Sequence, residues 1–485
     1  MDNVNVLIVF VSVLLLLCIA FSRFISRAGI PVLVFFILAG MLMGSEGIGG
    51  IYFDDAASAS MIGNFALCYI IFAGGMATSW RSAKEVLQPG ALLSTVGVLI
   101  TALLVAAAAR LLLGMTFQQC MLLGSVVSCT DAASVFSILR SNNMNLRSPL
   151  APLLELESGS NDPAAYMLTV TMISLMDSET GAAGFAVMFL LQMAVGVIFG
   201  FAFGFICAWI INRIKLNSDG LYPVVAATMA ALVFSSAQLA HGNGLLAVYI
   251  AAMVMGNVKL AHKTSLVRFF DGFSWLMQVL VFVTLGLLVF PSHLREVWLQ
   301  ALAVSAALMF LIRPAAVFLT LFRFRCPVKT KLFISLVGLR GASSIVFATY
   351  ALKEGVPNAD VIFDIVFFIS LSSVVIQGSL LKPAAHLLGQ IDKEDTTLVS
   401  RSFTDYEEEI GGTLYELRAS KGSRAAGMAV SELRFPDGVR IMLIKRGEST
   451  ITPTGKTRIM EGDVLMVTAA NTDALLLLRD RLGLA

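Results

Sequence analysis

Between Val4 and about Leu388 one feature recurs: apolar runs, many longer than the ~20 residues an α-helix needs to cross a bilayer. In hydrocarbon every backbone N–H and C=O must be paired within the protein. Such runs therefore fold as spanning helices or, where polar and apolar residues alternate, as a closed barrel. These runs do not alternate, and the chain reads as an all-α polytopic membrane protein. Of its 485 residues, 57% are hydrophobic and 14% charged, whereas soluble domains carry about 25% charged residues.

The charge is unevenly placed. Of 66 charged residues, 28 fall in the last 95, from Ile391 onward. We read residues 1–389 as a transmembrane domain, 390–411 as a charged linker and 412–485 as a small α+β cytoplasmic domain. The linker, "QIDKEDTTLVSRSFTDYEEEIGG", is too polar to bury a core. Beyond it the pattern predicts β-α-β-β-β-α: strands at "TLYELRA", "VRIMLIK", "STITP" and "DVLMVTA", helices at "SRAAGMAVSEL" and "NTDALLLLRDRL". The absence of a GxGxxG loop argues against a Rossmann dinucleotide site.

Thirteen spans are predicted, near residues 4–23, 30–44, 61–77, 89–112, 118–139, 152–175, 184–212, 221–240, 243–258, 269–290, 297–322, 331–351 and 362–388. No Lys or Arg precedes the first apolar run, so it reads as a span rather than a signal peptide, with the N-terminus outside. Inner loops then collect fifteen basic residues and outer loops only Arg110, Arg295 and Lys353. That is the asymmetry of the positive-inside rule, and an odd span number leaves the C-terminal domain in the cytoplasm.

Three polar islands interrupt the apolar spans. The fifth span carries Ser128, Thr130, Asp131 and Ser134; the sixth carries Glu157, Ser158, Asn161 and Asp162; the twelfth carries Gly338, Arg340, Gly341, Ser343 and Ser344. Ionisable groups at this depth are expensive and mark ion or proton pathways. Ser158 and Asp162 are four apart and share a helix face; Glu157 and Asn161 share the neighbouring one. Pro163 cannot donate to the Gly159 carbonyl. A carboxylate, a hydroxyl, an amide and a freed carbonyl make an all-oxygen environment suited to a hard cation. The fifth and twelfth spans are seven apart, an odd number, so spans 1–6 and 8–13 read as two inverted halves joined by span 7. Interrupted spans at matching places in inverted halves point to a transporter's binding site.

In combination, "ESGSND", the preceding Thr-Asp pair and "GLRG" resemble the cation/proton antiporter family, in its Asn-Asp branch. The terminal 70 or so residues resemble the C-terminal regulatory module of potassium-transport proteins, and together they resemble the cell-volume-regulation potassium/proton antiporters. The resemblance implies broken, crossing helices and electroneutral K+/H+ exchange in the inner membrane by a homodimer, with Na+ as the alternative cation. It implies that Asp162 carries the proton or binds K+ or Na+, that Asn161 orients the site, and that Thr130 and Ser158 add oxygen ligands. It further implies that Glu157 pairs with Arg340. Many relatives have Pro after the Thr-Asp pair where this chain has Ala132, so a proline kink in the fifth span is not expected.

Asp131 has two readings, an anchor for backbone N–H groups at a helix end or a part of the ion path. Arg313, followed by Pro314, reads as a side chain reaching toward the cytoplasmic interface. The six cysteines and four histidines form no metal-ligand spacing, and no resident cofactor or nucleic-acid partner is expected. A small cytosolic ligand, such as a nucleotide, is expected in a cleft between paired C-terminal modules, and lipids around the spans. Rival readings are an aspartyl protease using Asp131 and Asp162, which lacks the sequence context of that chemistry; a cation channel, which needs several weak sites in a row; and a purely sensory protein, which has no need of the polar islands.

Overall fold

The computed structural model describes residues 32–141, 144, 146–147, 149–177, 182–391, 399–400, 413–419, 423–433, 435, 439–447 and 449–469, with isolated positions 9, 12, 13, 16 and 478. The chain divides into two compact units, Met1–Asp392 and Lys393–Ala485.

The first unit is helical. Its elements are α1 (Val32–Met43), α2 (Ala56–Ala77), α3 (Leu87–Leu113), α4 (Phe117–Val126), α5 (Ala132–Ser141), α6 (Leu150–Asp177), α7 (Ala182–Arg213), α8 (Leu221–Leu239), α9 (Gly244–Asn257), α10 (Lys263–Leu288), α11 (Pro291–Thr320), α12 (Val328–Val337), α13 (Ala342–Lys353) and α14 (Ala359–Leu387). The predicted spans from the second onward each coincide with one helix or one broken pair. The first, 4–23, lies almost wholly outside the described residues. Among the described residues seven helices are individually long and apolar enough to cross a membrane, and α12 with α13, bent by 50°, makes an eighth. The 28-residue α6 is long enough but carries the polar island that lowers its hydropathy.

Local signals set where these helices begin. Asp55 caps α2 by accepting from the Ala57 and Ser58 amides. Thr116 and Gln119 form a reciprocal capping box at α4. Asn243 caps α9 through the Leu246 amide and also donates to the Pro163 carbonyl at 2.8 Å, tying α9 to α6. Packing follows apolar faces: Phe72 of α2 meets Phe270 of α10 with ring centroids 4.7 Å apart. On α7, by contrast, Leu190, Ile198 and Trp209 are each more than 60% exposed, the mark of a helix whose outer face is solvated by lipid rather than water.

The second unit holds an antiparallel sheet of β1 (Val399–Ser400), β2 (Thr413–Arg418), β3 (Val439–Arg446), β4 (Ser449–Ile451) and β5 (Val464–Ala469), in spatial order β1-β2-β5-β3-β4. Leu417, Ile444, Ile459, Leu465 and Val467 form its buried core. Two predictions need correction. Val399–Ser400, expected to be linker, pairs with Tyr415 and Glu416 as an edge strand. "SRAAGMAVSEL", expected as a helix, forms turns and a single 3₁₀ turn at Val430–Glu432. Gly427 takes φ +89 and Ala429 bridges Arg458 in an extended conformation; the Gly427, Val430 and Ser431 amides donate to the Ile459, Thr457 and Gly455 carbonyls, and the bonds within the segment are only i→i+3 turns. The predicted final helix lies outside the described residues, save for buried Leu478.

Candidate ion-binding site

The fifth and twelfth spans are both broken, and their breaks meet. Between α4 and α5 the chain leaves the helix over 127–131; between α12 and α13 it does so over 338–341. The Asp131 amide donates to the Leu339 carbonyl at 2.8 Å, and Cys129 Sγ lies 3.1 Å from Ser344 Oγ. Irregular backbone at this depth is tolerated only inside protein, and every residue from Val126 to Thr130 and from Gly338 to Ser344 is buried.

Each exposed helix end meets a charge of the matching sign. Asp131 is the N-cap of α5: its carboxylate accepts from the Ser134 amide at 3.2 Å and the Ser134 hydroxyl at 2.5 Å. This is the helix-end reading of Asp131. The same carboxylate packs against Gly341, where a Cβ has no room. The Arg340 guanidinium donates to the Cys129 carbonyl, beyond the C-terminal end of α4, and its amide donates to Ser373 Oγ at 2.9 Å. Arg313 lies against Gly338, the C-cap of α12; a Cβ on Gly338 would sit 2.6 Å from Arg313 Nε. Anions at helix N-termini and cations at C-termini offset the backbone dipoles. The break between α4 and α5 forms without a proline: Ala132 occupies the first helical position, where Pro is tolerated but not required.

Asp162, on α6, faces this crossing. It is 9% exposed, and its Oδ2 accepts from Ser343 Oγ of α13 at 2.7 Å. Its Oδ1 has no partner among the described residues, and neither does the adjacent Asn161 Oδ1. Asn161 Nδ2 donates to Thr130 Oγ1 at 2.5 Å, and Ser158 Oγ donates to the Thr130 carbonyl at 2.6 Å. Thr130, Ser158, Asn161 and Asp162 thus gather in one cluster, with two buried oxygens unfilled. α6 continues unbroken through Pro163.

One expectation is overturned. Glu157 pairs with Arg313, not with Arg340. Arg340 is held in the crossing by its bond to Cys129, while Arg313, expected at the cytoplasmic interface, is 3% exposed inside the helix bundle. A π-helical turn at Leu308–Ile312 immediately precedes it. Pro314 cannot continue the regular ladder, and such single π turns often mark functional positions. The Arg-Pro pair inside an apolar span was the signal available in the sequence. Ser343, in the polar island of the twelfth span, is the hydroxyl that contacts Asp162.

The match to known proteins covers nearly the whole chain. Residues 11–387 match the family described as "Sodium/hydrogen exchanger, transmembrane", and residues 414–483 match the TrkA-C domain. The K(+)/H(+) antiporter NhaP2 of Shewanella sp. (strain MR-4) is 34% identical over 471 residues, 96% of this chain and 81% of that protein. The K(+)/H(+) antiporter NhaP of Alkalimonas amylolytica is 39% identical over 389 residues, 80% of this chain and 68% of that protein. The sodium proton antiporter MjNhaP1 of Methanocaldococcus jannaschii shares the fold, with a TM-score of 0.69 at 23% identity over 80% of this chain and 100% of that structure. The chain belongs to the sodium/hydrogen exchanger family: it is a multi-pass secondary cation/proton antiporter, not an enzyme, and it carries a TrkA-C domain.

Proposed function

We propose that the chain exchanges K+ for H+, one for one and by alternating access, with Asp162 carrying either the proton or the cation. The observation that supports this best is the unpartnered, buried Oδ1 of Asp162 inside a cluster of balanced charge. Arg313 and Arg340 supply two positive charges; Glu157 and Asp131 supply two negative ones. Ionised Asp162 leaves this set at minus one, and either a proton or one monovalent cation restores neutrality. An uncompensated charge in low dielectric is costly. The two loaded forms are therefore the ones able to change access, and the empty ionised form is held back. Asn161, Thr130 and Ser158 shape the oxygen environment, and their remaining lone pairs are the ligands in this reading.

K+ is preferred because the two curated relatives reported above carry K+ in their names; Na+ is the second reading, favoured by the family description. Oxygen ligands accept both ions. In proteoliposomes, K+ should collapse a pH gradient and an imposed membrane potential should leave the exchange equilibrium unmoved. A response to Na+ alone would overturn the choice of cation; potential-driven exchange would overturn the one-for-one coupling.

In this reading the chain sits in the inner membrane, and the positive-inside count supports an N-terminus outside and the TrkA-C domain in the cytoplasm. In this reading the protein works as a homodimer among membrane lipids. The paired C-terminal domains regulate exchange through a small cytosolic ligand, with a nucleotide as the candidate. Truncation after about Gln390 should leave exchange intact and shift its pH set-point.

A further inference from the structure

One turn beyond Asp162, α6 carries Tyr166. Its ring meets Phe347 and Tyr350 of α13, with centroids 5.8 and 5.6 Å apart. The two helices are matched along a seam. Asp162 and Tyr166 are four apart on one face of α6, and Ser343, Phe347 and Tyr350 recur at i, i+4 and i+7 on one face of α13. Ser343 holds Asp162 at one end of the seam, and the three rings close the other.

Beyond the rings lies a cavity of about 520 Å³. Tyr166, Tyr350, Asn64, Gln238 and Lys353 line it, while Phe347 is fully buried within the partition. In the orientation proposed above, this cavity is on the outer side. Both tyrosine hydroxyls are pinned to helices outside the seam: Gln238 Nε2 of α8 donates to the Tyr166 hydroxyl at 3.2 Å, and the Tyr350 hydroxyl donates to Asn64 Oδ1 of α2. A single aromatic layer, apolar in its middle and clamped at two edges, separates the cavity from the carboxylate. A cation stripped of its water gains far less from ring faces than from the oxygens it has lost, so passage requires α6 and α13 to part there.

We propose that Tyr166, Phe347 and Tyr350 form the outer gate to Asp162, and that Gln238 and Asn64 latch it. The assignment rests on exchange at Asp162, but its test reads access rather than transport. Cys129, beside Ser344 at the site end of the seam, is a built-in reporter. A small, cationic, membrane-impermeant thiol reagent is applied to right-side-out vesicles, and Cys129 modification is followed by peptide-resolved mass spectrometry. Inside-out vesicles supply a reference rate, and melting temperature controls for folding.

From the outside, wild-type Cys129 should react slowly. Tyr166→Phe, Gln238→Leu and Asn64→Ala keep the rings and should raise that rate about three- to ten-fold, the scale of one lost hydrogen bond. Phe347→Ala, which thins the layer itself, should raise it further. The same pattern is expected in an Asp162→Asn background, so loss of exchange does not decide the matter. Unchanged outside labelling across folded variants, or acceleration from the inner side only, overturns the gate.

Discussion

Glu157 on α6 and Arg313 on α11, 156 residues apart in sequence, form an ion pair buried beside the crossing of two broken spans. Both side chains are less than 5% exposed. The pair joins a helix bearing the candidate ion carboxylate to a helix that packs against the C-terminal end of α12, so it couples the site's position to the bundle around it.

Removing one partner of a buried pair leaves the other charged and unsolvated, at a cost of about 3–5 kcal/mol. Glu157→Gln and Arg313→Gln should each lower the melting temperature of the detergent-solubilised protein markedly. The double Glu157→Gln, Arg313→Met variant should recover part of that loss, because no orphan charge remains. If the double variant loses as much stability as the two single losses added, the pair carries no coupling and this account of it is wrong.

Asp162→Asn keeps the side chain's shape and its place beside Ser343 while removing the titrating charge. We expect normal insertion and melting with exchange abolished, the reverse emphasis of the Glu157 variant. The check is a paired measurement of vesicle exchange and thermal stability on the same preparation. Near-normal exchange by Asp162→Asn would remove this carboxylate from the mechanism.

The helical spans and the polar islands in three of them were legible in the sequence because apolar run length and buried polarity are local properties, though only two of those spans, the fifth and the twelfth, are broken. The pairing of those breaks was not legible. Arg313 and Arg340 are both arginines inside apolar spans, and nothing near either in sequence says which lies opposite Glu157; only the packing of α11 against its neighbours does. The break after Asp131 forms without a proline. The break in the fifth span is held by Asp131 capping α5 and by long-range contacts from Leu339 and Arg340, none of which a kink-by-proline rule detects. In the C-terminal unit, "SRAAGMAVSEL" has helix-forming residues, but a long-range bridge to Arg458 overrides that propensity.

Two substitutions at the crossing should behave oppositely. Ala132 occupies the first helical position of α5, where a missing N–H costs nothing and a fixed φ suits the helix. Ala132→Pro should therefore be tolerated, changing stability by less than about 1 kcal/mol. Gly341→Ala places a Cβ against the Asp131 carboxylate, an overpacking that costs roughly 1–3 kcal/mol and displaces the cap of α5. Melting and exchange assays on both variants test the geometry: an intolerant Ala132→Pro beside a silent Gly341→Ala would contradict it.

The C-terminal domain has its own pH dependence, which follows from Asp463. This buried carboxylate accepts from Arg446 Nε at 2.9 Å and Nη2 at 2.8 Å, and from the Met460 amide at 2.8 Å. The hydrogen bonds from Arg446, aided by the Met460 amide, hold it below its ordinary range against the opposing effect of burial. Because the folded value lies below the unfolded one of about 3.9, the stabilisation is fully present above that pH. It is lost as pH falls through the folded value. Hydrogen exchange over residues 439–469, corrected for intrinsic rate, should therefore show protection at neutral pH that collapses only in strong acid. Asp463→Asn should lower protection at neutral pH and flatten the acid-dependent part of the profile, since the titrating group is gone. If the variant's profile runs parallel to the wild type's through the acid range, another carboxylate controls the transition and the Asp463–Arg446 pair does not.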